Sequence, residues 1–114
     1  MQTLSRGRYR ARLAETPDDI AAAQTLRWLT FRAGRVDAAV DGLDADAFDD
    51  LCTHVLVEDN RDGTLVCCFR LMHLASGAQI GRSYSAQFYE LSALEAFEAP
   101  MVEMGRFCIH PDWR

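Results

Sequence analysis

The sequence predicts an α+β fold built on a mixed, mostly antiparallel sheet. Its 114 residues suffice for one domain with a modest core. The elements run in the order β-α-α-β-β-(loop or helix)-β, with helices placed ahead of a run of strands. Asp62-Gly63 sits between two apolar runs, a hairpin signal that makes those runs antiparallel neighbours.

Residues 7–15 alternate arginine with Tyr9, Ala11 and Leu13, which predicts a half-buried strand with an arginine face. Thr16-Pro17-Asp18-Asp19 is a helix start: Thr16 as N-cap, Pro17 in the first turn, Asp19 at the capping-box position. Ile20, Ala23, Gln24, Arg27, Trp28 and Phe31 follow at helical spacing, so a helix over 17–33 is expected, ended by Gly34 and followed by a loop over 35–43. Arg27 lies on or beside the apolar stripe, either as a snorkelling surface residue or as a site residue. Residues 44–51 read as a short helix with an acidic N-terminus. Asp46 and Asp49 lie on one side of it, as a solvated cap or as a cation site.

Thr53–Glu58 is a predicted strand, Asp59–Gly63 the turn, and Thr64–Leu74 an apolar strand buried on both faces. Arg70 interrupts that run and needs an acidic partner or an anionic ligand. His73 suits a hydrogen-bonded structural role. Ser76-Gly77 turns the chain, 80–88 is irregular, and 90–97 is a short helix or turn. The closing strand, 102–110, ends at Pro111, which cannot donate to a ladder. Strict alternation puts Glu103 and Arg106 on opposite faces of it.

Net charge is −5, with 49% apolar and 25% charged residues, the balance of a soluble globular chain and not of a nucleic-acid surface. Arg6, Arg8, Arg10 and Arg12 cluster at the start, and there is no lysine. The four cysteines, Cys52, Cys67, Cys68 and Cys108, form no Cys-x-x-Cys pair, so no metal site is expected and reduced thiols fit best. No apolar h-region and no apolar run near the ~20 residues of a bilayer span is present, which predicts a cytoplasmic protein.

Glu103-x-x-Arg106-Phe107 in a strand, followed by His110-Pro111-Asp112-Trp113-Arg114, resembles the central strand of the GNAT N-acyltransferases. Arg27-x-x-x-Phe31, Asp46-Ala47-Phe48-Asp49 and Arg70-Leu71 resemble, in order, the motifs of the acyl-homoserine-lactone (autoinducer) synthases. Gly34–Asp37 lacks the tryptophan of that branch. Ser83–Leu91 and Gly105-Arg106 are more similar to the ornithine–acyl carrier protein N-acyltransferases.

The resemblance implies a three-layer GNAT (acyl-CoA N-acyltransferase-like) fold as a single domain over 1–114, the N-terminal half, with the phosphate-binding loop expected after Arg114. It implies transfer of a 3-hydroxyacyl group from acyl carrier protein, or from CoA, to the α-amino group of ornithine or a similar amino acid in ornithine-lipid synthesis. No permanently bound cofactor is implied. Glu103 would be the general base; Asp46 and Asp49 would hold the ammonium; Arg27, Arg70 and Arg106 would orient carboxylates; Phe31 and Phe107 would line the acyl pocket. The partners implied are acyl carrier protein, met by a basic patch such as Arg6–Arg12, and a small amino acid. The resemblance also admits peripheral association with the inner membrane surface. A lactone synthase and a GNAT-fold binding module without chemistry are the alternatives.

Overall fold

The regular pairing of the last strand is interrupted at one residue, Arg106. The computed structural model describes residues 3–32 and 42–113. Strands β1 (Thr3–Arg6), β2 (Tyr9–Leu13), β3 (Thr53–Asp59), β4 (Leu65–Leu74) and β5 (Met101–Ile109) form one antiparallel sheet in sequence order. One long helix, α1 (Pro17–Phe31), packs on the face formed by β3, β4 and β5.

The sequence placed a single strand over 7–15; instead Gly7 and Arg8 turn a hairpin and β2 begins at Tyr9. Gly7 has φ +58, a left-handed value that glycine adopts without steric cost. β1 was not foreseen because its Thr-Leu-Ser-Arg is exposed along its length and carries no apolar alternation.

α1 starts as its sequence dictates. Thr16 is extended and its side chain accepts the Asp19 amide, while Pro17 occupies the first turn. Ala23, Leu26 and Arg27 are its buried positions. Ala23 and Leu26 form the core with Leu56, Cys68 and Cys108 of the sheet. Gly34 and most of the 35–43 loop lie outside the described residues.

The predicted short helix over 44–51 is a 3-10 turn, Ala47–Leu51, capped by Asp46. Asp46 and Asp49 form a reciprocal capping box, and five residues are too few for a sustained α ladder. Likewise 90–97 holds only a 3-10 turn, Ser92–Leu94, and the irregular stretch before it contains 3-10 turns at Gly77–Arg82 and Ser85–Gln87.

β3 and β4 are joined at Asp59–Gly63 as expected, with Gly63 at φ +78. β4 alternates buried Val66, Cys68, Arg70, Met72 and Leu74 on the α1 face with less buried residues on the other. It is therefore covered on one face by described residues, not on two. The opposite face leaves Val102, Met104 and Phe107 each more than half exposed.

β5 pairs with β4 as the sequence predicted, but its register breaks. Cys68 faces Cys108 and Arg70 faces Gly105, so Arg106 and Phe107 together oppose Phe69. Arg106 takes φ +50, uncommon for a non-glycine residue and costing ~1–3 kcal/mol. This β-bulge corrects the opposite-face expectation. Alternation resets at Arg106, so Glu103, Gly105 and Arg106 share the α1 face.

Candidate active site

Four arginines and four carboxylates converge between α1, the Ala47–Leu51 turn and the bulged half of β5. Arg27 from α1 donates Nε to Asp44 Oδ2 at 2.9 Å, and Nη1 and Nη2 to the two oxygens of Asp49 at 2.7 and 3.2 Å. Arg70 from β4 donates Nη1 to Asp46 Oδ1 at 2.6 Å and Asp49 Oδ1 at 2.8 Å, and Nη2 to Asp46 Oδ2 at 3.1 Å. Arg32 donates Nε to Asp44. Gln24 donates to Asp49 at 3.0 Å, and the His54 ring donates Nε2 to the Asp49 carbonyl at 2.9 Å.

This lower layer is buried. Arg27, Asp44, Asp49, His54 and Arg70 are each at most 6% exposed. Burial works against the Asp49 carboxylate, but hydrogen bonds from Arg27, Gln24 and Arg70 outweigh it and hold its pKa well below the usual carboxylate range. Asp44 is lowered in the same way: burial opposes, Arg32 and Arg27 prevail. Burial also opposes the charges of Arg27 and Arg70, and their carboxylates more than compensate. A buried ion cluster is tolerated only when its lone pairs and protons are so fully used.

The upper layer differs. Glu103 accepts the Tyr84 amide on Oε1 at 2.8 Å and the Ser85 amide on Oε2 at 3.0 Å. Each oxygen keeps a second lone pair. Arg106 stands 3.7 Å from Asp44 and 3.8 Å from Asp46, too far for a hydrogen bond, and its buried Nε has no partner. Its guanidinium instead lies over two rings, Phe31 at 5.9 Å and Tyr84 at 5.6 Å. The Tyr84 ring also caps Arg70 at 5.5 Å and meets Phe48 edge-on at 5.3 Å.

A cavity of about 270 Å³ opens beside them, lined by Phe31, Arg70, Tyr84, Glu103, Gly105 and Arg106. Gly105 lies between Glu103 and Arg106 along this wall, and a Cβ there would sit 3.8 Å from Arg70 Nε, at ordinary contact distance. Cys52 also borders the cavity, and burial raises its pKa, keeping it a neutral thiol and a poor nucleophile.

The sequence-predicted residues are thus gathered at one place but in two tiers. Arg27, Asp49 and most of Arg70 lie underneath; Glu103, Arg106 and the partly open Asp46 lie above. Phe31 joins them. Phe107 borders the cavity, but the bulge turns its ring to the far side of the sheet, stacked with Phe69 at 6.0 Å, so it does not face Phe31. Asp44, His54, Tyr84 and Ser85 belong to the site and were not singled out. Tyr84 and Ser85 fall in a stretch whose irregularity hid them, and His54 shares a face with Arg70 through their direct cross-strand pairing.

A family profile described as an acetyltransferase (GNAT) domain matches residues 26–114. The chain belongs to the GNAT acetyltransferase family. Among curated relatives, this GNAT chain is 35% identical to an L-ornithine N(alpha)-acyltransferase of Rhodobacter capsulatus, over 93% of its own length and 45% of the relative's. It is 32% identical to a protein of the same name from Brucella abortus, over 95% and 43%, and 29% identical to one from Agrobacterium fabrum, over 95% and 41%. The GNAT chain spans less than half the length of these relatives. No solved structure matches it. No helix among the described residues is long and apolar enough to cross a membrane.

Proposed function

We propose that this chain carries the acceptor side of an N-acyltransferase that moves an acyl group from acyl carrier protein to the α-amino group of ornithine. The observation that carries the proposal is the pairing of Glu103 and Arg106 on one wall of a small cavity, in a chain similar to relatives named for ornithine acylation. An ammonium cannot attack a thioester until it loses a proton. Glu103, with a free lone pair on each oxygen, accepts that proton directly or through a water. The amine nitrogen then bonds to the thioester carbonyl carbon, the C–S bond breaks, and the leaving thiolate takes up a proton.

In this assignment Arg106 and Asp46 contact the acceptor, while Arg27, Asp49 and Arg70 hold those contacts in place from below. Phe31 bounds the cavity on its apolar side. At about 270 Å³ the cavity is below the ~300–1,000 Å³ of drug-sized ligand sites, which suits an amino acid better than a long acyl chain. The donor is a 3-hydroxyacyl thioester of acyl carrier protein in preference to CoA, and the product enters ornithine-lipid synthesis at the cytoplasmic side of the membrane. Arg8 and Arg10 remain over one-third exposed although paired with Asp59 and Glu58, and with Arg6 they offer the anionic carrier protein a basic edge.

The test is reconstitution. The complete gene product, 3-hydroxyacyl–acyl carrier protein and ornithine should yield N(alpha)-acylornithine by mass spectrometry. Acylation of a different amine, with ornithine inert, would overturn the acceptor assignment. Transfer from acyl-CoA alone would overturn the donor assignment.

A further inference from the structure

We infer that Arg106 is the receptor for the free α-carboxylate of the acceptor, so that Glu103 and Arg106 together recognise an amino-acid zwitterion. This rests on the acceptor reading above and names the group that makes it selective for amino acids over simple amines.

Three observations single out Arg106. First, Arg27 and Arg70 each make three hydrogen bonds to the carboxylates of Asp44, Asp46 and Asp49. The Arg106 side chain donates no hydrogen bond to another described residue, and its nearest carboxylates stand at 3.7 and 3.8 Å. A guanidinium presents five donors in a planar fork matched to a carboxylate. Second, the fork is held without using those donors. Phe31 and Tyr84 pack their rings against it, and ring contacts leave the edge N–H groups free. Third, the backbone sits at φ +50 to bring this side chain onto the cavity wall. A regular strand would have sent it to the opposite face.

The opposite end of the zwitterion follows. Glu103 is on the same wall, and Gly105, which lies between it and Arg106 in the strand, puts no side chain there. An α-carboxylate on Arg106 places the adjacent α-ammonium toward Glu103, the group that must deprotonate it. A phosphate of the acyl donor is the competing anion. A carboxylate fits better because Asp44 and Asp46 flank the fork, and a doubly charged phosphate would meet both.

The experiment is calorimetric titration of the complete gene product with L-ornithine, L-ornithine methyl ester, 1,4-diaminobutane and inorganic phosphate, repeated on Arg106→Gln and Arg106→Lys. Wild type should bind ornithine ~10–100-fold more tightly than the ester or the diamine, the span of a charge-assisted hydrogen-bond pair. Arg106→Gln should reduce that preference to within about threefold, and Arg106→Lys, a point charge without the fork, should fall between. Wild type that binds ester and acid alike, or binds no amino acid, overturns the inference whether or not the variants fold. So does Arg106→Gln that loses phosphate binding and keeps its preference for the acid. Acyl-transfer assays separate this from the function itself. Equal acylation of ornithine and its ester sinks the Arg106 assignment but leaves the acyltransferase standing. An Arg106-dependent preference for the free acid of a different amino acid keeps Arg106 and removes ornithine.

Discussion

The lower and upper tiers of the site hold the same kinds of residue and treat them in opposite ways. Below, Arg27, Asp44, Asp49 and Arg70 are buried, and each is hydrogen-bonded to an opposite charge. Above, the Arg106 side chain has no hydrogen bond to a described residue, and Glu103 spends only one lone pair per oxygen on backbone amides. A charge that is fully paired inside the protein cannot bind a ligand without first leaving its partner, which costs several kcal/mol. A charge with unspent donors, held by rings or by backbone, can. Motif membership alone therefore does not separate scaffold from site; the count of unused hydrogen-bonding positions does.

The broadest break is acid, which reaches the lower tier through Asp44 and Asp49 and the separate Arg12 cluster through Asp19 and Glu58. Asp44, Asp49, Asp19 and Glu58 all have pKa values depressed in the folded state. For Asp19 the hydrogen bond from Arg12 leads; for Glu58 burial opposes and Arg12 and Arg10 outweigh it. A depressed carboxylate stabilises the fold fully above its unfolded value of about 4 and loses that contribution as pH falls toward its folded value. The denaturant midpoint should be level from pH 7 to about 5 and decline steeply below about 4. A midpoint level down to pH 2.5 would mean the network contributes no stability.

Asp49→Ala should be the largest single-residue effect. It leaves Arg27 and Arg70 short of a buried partner and should cost ~3–5 kcal/mol, read as a lowered denaturant midpoint. A wild-type midpoint would place Asp49 with the ligand-binding tier instead. Gly105→Ala sharpens the comparison from above. Its Cβ meets Arg70 at an ordinary contact distance and its backbone needs no left-handed φ, so stability should hold. The added methyl intrudes between Glu103 and Arg106, so KM for the amino acid should rise by on the order of tenfold, about 1–2 kcal/mol. Phe107→Ser is the smallest. Its ring is on the far face, so kcat and acceptor KM should stay within about twofold, although the stack with Phe69 is lost. A large change in acceptor KM would return Phe107 to the pocket.

Much of this was legible in the sequence, and the parts that were not share a cause. Thr16-Pro17-Asp18-Asp19 specified the start of α1 because capping is local chemistry, and Asp62-Gly63 specified the β3–β4 hairpin for the same reason. Glu103, Arg106 and Arg70 could be picked out because charges inside apolar runs are costly unless used, and Asp46 through its spacing to Asp49 and its motif resemblance. The face on which Arg106 lies could not be read. Period-2 alternation assumes an unbroken register, and a bulge at a non-glycine residue leaves no compositional trace. Membership of the lower tier was also hidden. His54 and Asp44 reach it through cross-strand pairing and a crossing from the acidic turn to α1, contacts that sequence distance conceals. The Glu103 clasp on Tyr84 and Ser85 bridges eighteen or nineteen positions and uses backbone amides, which every residue type there would supply.

That clasp shapes the decisive test. Glu103→Gln removes the base, but it also turns an amide NH₂ toward a backbone N–H, so a fall in rate alone would not separate catalysis from positioning. The pH dependence of kcat does. With saturating donor and acceptor, wild type should hold kcat level from about pH 6 to 8, because a bound base takes the ammonium proton. Glu103→Gln should turn over ~10²–10⁴-fold more slowly, and its rate should rise about tenfold per pH unit over that range, because the ammonium must then lose its proton to solvent. A Glu103→Gln enzyme whose pH profile runs parallel to that of wild type, at whatever rate, would contradict the assignment of Glu103 as the group that takes the proton.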